Sequence, residues 1–187
     1  GSPMTSSGTP EGAMNQGVGW AYQILPFFEK ANVYTLPTKG QVETTYVPEY
    51  QCPSRRRDAR QAGRVLMDYA SATPADSPNS WDQYWYGNTW GVPTTARYRG
   101  VIVRTQTASS PSNMANITDG TSNTLAISEK RLDKRNYATG DWHDDQGWID
   151  GWDPDIVRYT GYLPQKDAAG GVNGYEFGSA HAAGVLG

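Results

Sequence analysis

Apolar positions come in short bursts, separated by long polar stretches rich in glycine and proline. In the first burst Trp20, Ile24, Leu25, Phe27 and Phe28 recur at roughly helical spacing. Pro26 interrupts it, and helices end or kink at the residue before proline. The pattern predicts a short, Pro-kinked helix over 20–31 with Glu29 and Lys30 outward, then an extended element over 42–50 before Cys52. Strands are predicted over 65–70, 99–104 and 123–130. A turn at Asp119-Gly120 precedes the last of these, since Asp bonds its own backbone and Gly supplies a positive φ. In that strand Leu125, Ile127 and Glu129 share a face, so Glu129 points inward. A buried carboxylate needs an arginine, backbone N–H groups or a metal beside it.

A length of 187 residues fits one domain and is enough to fold without disulfide or metal staples. Only 37% of residues are hydrophobic, yet seven Trp and twelve Tyr bury much area apiece, so a core is attainable. With 21 Gly and 12 Pro, the profile suits a secreted or cell-surface β-rich domain better than a cytosolic α/β enzyme. A net charge of -3 argues against nucleic acid as a main partner. No run approaches the roughly 18 apolar residues of a membrane helix. Residues 1–18 read as an expression scar, Gly1-Ser2-Pro3-Met4, followed by a flexible segment, and 19–187 as the globular head.

Three local compositions carry candidate chemistry. Trp81, Tyr84, Trp85, Tyr86 and Trp90 lie among Asp, Gln and Asn, a mixture on which sugar rings stack; the plainer reading is packing against a core or a neighbouring subunit. Residues 141–155 hold six Asp, which repel unless spread, paired or bridged by a cation. Calcium takes oxygen ligands, and Asp144, Asp145, Asp150 and Asp153 are its candidate ligands, although the spacing is not that of an EF-hand. The alternative is turn-forming and capping aspartates, some paired with the arginines at 55–57. Five arginines in 55–64 read as an anion contact, a solvated loop or partners of that acidic segment. Zinc is disfavoured because Cys52, His143 and His181 are far apart in the chain. Cys52 reads as a small buried hydrophobe and His181 as a packed, hydrogen-bonded histidine. A hydrolase would use His143 beside Asp141 and Asp144, yet Ser54, Ser122 and Ser179 lack a nucleophile context.

Seven motifs in order bear a resemblance: Gly19-Trp20-Ala21-Tyr22-Gln23-Ile24-Leu25-Pro26, Cys52-Pro53-Ser54-Arg55, Asp68-Tyr69-Ala70, Ile117 to Thr124 with Glu129-Lys130, Asp144-Asp145-Gln146-Gly147-Trp148, Gly151-Trp152-Asp153, and Phe177-Gly178-Ser179-Ala180-His181. Over residues 19–181 the chain resembles the DUF1559 family of planctomycetes, which is itself similar to type IV pilin-like and type II secretion pseudopilin proteins. The resemblance implies an α+β head, with a short N-terminal helix packed on an antiparallel sheet and long loops. It also implies a prepilin leader and a hydrophobic helix ahead of the head, and a C-terminal Asp-Gly beyond the family His. This chain carries neither of the first two and finishes six residues after His181, so both ends read as trimmed. The expected function is non-enzymatic: a head at the cell surface or in the periplasm, meeting membrane only through a removed helix. It would pack against itself or other pilin-like subunits in a filament. The alternatives are a polysaccharide-binding module on the 81–90 loop and a hydrolase on the 141–155 loop.

Overall fold

The computed structural model describes residues 18–73, 100–103, 113–151, 153–182 and 184. The N-terminal burst folds as separate helical turns, not one kinked helix. α1 (Trp20–Gln23) passes at Ile24 into a 3-10 turn over Leu25–Phe28 that holds Pro26 near its start. Glu29 then adopts a left-handed φ of 59°, uncommon for a residue with a Cβ, and swings the chain into α2 (Ala31–Tyr34). Leu25 is buried by this path, while Phe27 is left 86% exposed. The extended element expected over 42–50 is helical instead. The Thr38 hydroxyl accepts the Gln41 N–H at 3.3 Å and starts α3 (Lys39–Glu43). Pro48 opens a 3-10 turn ending at Tyr50.

β1 (Arg60–Gln61) and β2 (Arg64–Val65) form a hairpin through Ala62 and Gly63, at φ 48° and 85°. Two positive φ angles are what a two-residue type I′ turn requires. The strand expected over 65–70 is broken after Val65, because the Leu66 and Asp68 amides turn aside to the Ala59 and Tyr50 carbonyls. β3 (Tyr69–Thr73) follows and is the middle of the main sheet. On one side it pairs antiparallel with β4 (Ile127–Glu129), Tyr69 opposite Glu129; on the other it runs parallel to β5 (Val157–Tyr159), Ser71 opposite Val157. The class is α+β as expected, and the sheet is mixed, not wholly antiparallel. β4 is only the end of the strand expected over 123–130, since Thr121–Asn123 is a 3-10 turn. Leu125 is accordingly 40% exposed, whereas Glu129 is buried. The described part of the strand expected over 99–104, residues 100–103, is not strand. β6 (Gln165–Lys166) and β7 (Gly178–Ser179) pair in parallel.

The apolar core joins Tyr22, Leu25, Val42, Tyr50, Val65, Trp148, Ile156 and Tyr159. Its aromatics bury their rings while their polar ends find backbone acceptors. Tyr50 Oη donates to the Ala21 carbonyl at 2.5 Å, Trp148 Nε1 to Thr45 O at 3.2 Å and Trp20 Nε1 to Ile156 O at 3.1 Å. On β3, Ala70 and Ala72 are small enough for Phe177 to pack on them, which brings the last described segment against the sheet. Among the described residues no helix is long and apolar enough to cross a membrane.

Candidate functional site

Beside the apolar core lies a buried lattice of ion pairs. Arg56 donates to Asp68 Oδ1 at 2.6 Å and to both oxygens of Asp144, at 2.5 and 3.1 Å. Lys130 Nζ reaches Asp144 Oδ1 and the Asp155 carbonyl, each at 2.8 Å. Arg55 pairs with Asp167 at 2.8 Å and donates to the carbonyls of Lys130 and Gly178. Burial alone would raise the Asp144 carboxyl, but the Arg56 and Lys130 charges outweigh it and hold it down at about 2. Buried charges must be paired to be tolerated, and the ion pairs of this lattice join residues up to 112 positions apart. The internal pairing read from the arginine run and the acidic segment is therefore realised by Arg56 and Asp144.

The aspartates expected to hold calcium divide. Asp144 faces the two cations just named. Asp145 accepts from Gln146 Nε2 at 2.8 Å. Asp150 and Asp153 do come together, joined by Asp155; each of the three offers an oxygen, all within 4.8 Å of one another. Asp155 accepts the Asp145 N–H at 2.8 Å and a short bond from the Gln146 N–H, and Asp153 accepts the Asp155 N–H at 3.0 Å. Burial, then the nearby Asp150 charge, raises Asp153 to about 7. His143, the base of the hydrolase alternative, contacts Asp141 through Nδ1 at 2.9 Å. Trp81, Tyr84, Trp85, Tyr86 and Trp90 lie outside the described residues, as does the segment 1–17.

A second cluster was not legible as a site in the sequence. Cys52 begins a tight turn whose carbonyl takes the Arg55 and Arg56 amides, and its own N–H donates to Asp68 Oδ2 at 2.6 Å. Glu129 ends β4, and β7 delivers Ser179 and then His181. Close approach of β7 depends on Gly178, where a Cβ would sit 2.6 Å from the Arg131 Cβ. His181 Nε2 lies 3.3 Å from Cys52 Sγ and 3.5 Å from Glu129 Oε1. Ser179 Oγ donates to Glu129 Oε2 at 2.5 Å and accepts the His181 N–H at 3.0 Å. Cys52 and Glu129 are buried, while the His181 side chain is 31% exposed. Burial pushes the Cys52 thiol up, and the Glu129 carboxylate adds to the shift. The local sequence signal was the inward face of Glu129, and Cys52, Glu129 and His181 each fall in a motif of the family resemblance; no local pattern links the three to one another.

The sequence model of a family described as a protein of unknown function (DUF1559) matches residues 2–186. No curated protein and no solved structure matches the chain.

Proposed function

Because the chain belongs to the DUF1559 family, we propose that it is the non-enzymatic head of a pilin-like protein, working outside the cytoplasm by contact with copies of itself or related subunits. The observation that supports this reading is the fate of the charged motif residues. Arg55, Asp68, Lys130 and Asp144 close on one another or on Arg56 and Asp167 inside the protein. They build a frame, and a frame leaves recognition to the outer surface. That surface carries large apolar side chains at Phe27, Met114 and Leu163, the first and last more than four-fifths exposed. The placement in a filament rests on the resemblance of the DUF1559 family to pilin-like proteins.

The test places the chain behind a prepilin-type leader and hydrophobic helix and follows its association in detergent by cross-linking and sedimentation. Oligomers that weaken on Phe27→Asp or Leu163→Asp are expected. A protein that stays monomeric at every concentration would overturn the proposal.

A further inference from the structure

We propose that Cys52, Glu129 and His181 bind a zinc(II) ion, with the fourth tetrahedral position open on the solvent side of His181. The three donor atoms lie within 4.8 Å of one another. Zinc holds sulfur at about 2.3 Å and nitrogen or oxygen at about 2.0–2.2 Å, so tetrahedral ligands stand about 3.3–3.6 Å apart. The sulfur–nitrogen and nitrogen–oxygen separations are 3.3 and 3.5 Å.

Hydrogen bonding alone leaves this cluster poorly satisfied. One ring nitrogen, His181 Nε2, faces both the sulfur and the carboxylate, and a single N–H can serve only one of them. Among the described residues Glu129 Oε1 is buried with no hydrogen-bond donor but the weak one of the Cys52 thiol, a poor match for a carboxylate oxygen. A metal ion between the three atoms answers both problems at once. Ser179 has meanwhile engaged the other carboxylate oxygen, which aims Oε1 at the cluster, and it anchors the His181 backbone. Such outer hydrogen bonds orient metal ligands.

The charge also balances. On binding, Cys52 gives its proton to solvent and coordinates as thiolate; with the Glu129 carboxylate it neutralises the divalent charge. The occupied site then adds no net charge to a buried position, where an unbalanced charge is expensive. One sulfur, one imidazole and one carboxylate suit zinc and not calcium or magnesium, which take oxygen ligands. The ion would tie together segments separated by 129 positions between Cys52 and His181, acting as a staple in a chain whose one cysteine permits no internal disulfide.

The test uses the whole chain, stripped with chelator and titrated first with cobalt(II), then with zinc(II). Expected is a thiolate-to-cobalt charge-transfer band that saturates at one equivalent, with the visible bands of a tetrahedral site, both bleached by zinc. His181→Gln should abolish saturable binding in the micromolar range, and Ser179→Ala should weaken it about 10–100-fold. No charge-transfer band in the wild-type protein overturns the proposal, as does a band whose affinity is unchanged in His181→Gln. X-ray absorption of the zinc-loaded wild type, which needs no variant to fold, must find one sulfur in the coordination shell; a shell of oxygen and nitrogen alone also overturns it.

Discussion

Replacing Asp144 by Asn removes one negative charge from the interior and leaves the shape of the side chain. Asp144 accepts two bonds from Arg56 and one from Lys130, all between buried groups. Two routes bracket the cost. The carboxyl is held at about 2, against an ordinary 3.8, and each pH unit is worth about 1.4 kcal/mol, so its ionised form contributes about 2–3 kcal/mol. Removing one partner of a buried pair costs about 3–5 kcal/mol, because the orphaned charges remain. Here Arg56 keeps Asp68, but Lys130 loses its bonded carboxylate and is left among the described residues with neutral acceptors, the Asp155 carbonyl and the amide oxygen of the new Asn. The larger range is therefore expected. With a urea m-value of about 2 kcal/mol/M, the unfolding midpoint should fall by about 2 M. The acid limb supplies a second check. A depressed carboxyl stabilises the fold fully above its unfolded value near 4, and that contribution is lost as pH falls through about 2. Stability of the wild type should therefore drop between about pH 4 and 2 by an amount missing from Asp144→Asn. A midpoint within about 0.5 M of wild type, or an identical acid limb, would refute the assignment of Asp144 as the keystone of the lattice.

Asp153 behaves in the opposite sense. Its carboxyl is raised to about 7 by burial and then by Asp150, so the native state keeps a proton the unfolded chain has lost. Stability should fall as pH rises from about 4 to about 7 and then level off; Asp153→Asn should flatten that slope and raise Tm at pH 8 in melts with chelator present. An unchanged slope would sink this reading. Gly19→Ala should cost at least about 1–3 kcal/mol by overpacking, because the new Cβ would strike the Asp150 carbonyl and Ile156; a neutral result in urea unfolding would mean that the two segments do not touch. Leu163→Asp, on a side chain 83% exposed, should leave stability within about 0.5 kcal/mol, so any loss of association in sedimentation reports on contact and not on folding.

Much of the fold was legible where a local rule decided it. The α+β class was implied by the family resemblance, and the Asp119-Gly120 turn follows from turn chemistry; Glu129 is buried as its alternation with Ile127 suggested, although Leu125 on the same expected face is exposed. The 39–43 helix was also readable in principle: Thr38 and Gln41 have the spacing of a capping box, and their side chains do meet at 3.0 Å. The apolar residues around Val42 and Val47 have the look of an extended element, but the Thr38 cap and the Pro48 turn decide the backbone there. Other features had no local trace. Opposite charge at 55–64 and 141–155 indicates pairing but not which arginine meets which aspartate, and Arg55 goes instead to Asp167, outside both runs. Asp155, which completes the Asp150–Asp153 cluster, looks in sequence like any other turn aspartate. Distance along the chain argued against zinc, and it is the argument that tertiary structure removes, since β4 and the segment after β7 carry Glu129 and His181 to the Cys52 turn.

The lattice and the Cys52 cluster are mechanically one object. Asp68 holds the Cys52 amide with one oxygen and Arg56 with the other. Arg55, three residues after Cys52, grips the carbonyl of Lys130, next to Glu129, and the carbonyl of Gly178, next to Ser179. Each ligand-bearing segment is thus pinned by a buried arginine within three positions of the ligand itself. A site held this way is preorganised, and preorganisation of the supporting contacts is what keeps ligand atoms within a few tenths of an ångström of a usable geometry. Ion pairs of this kind are poor value as stability alone, since well-packed apolar residues do as well or better. Their placement around Cys52, Glu129 and His181 makes sense as a device for fixing positions. It follows that Arg55→Met should loosen cobalt binding even where the protein stays folded, whereas disrupting the exposed Asp58–Arg60 pair, bonded at 2.7 Å on the hairpin, should leave that binding untouched.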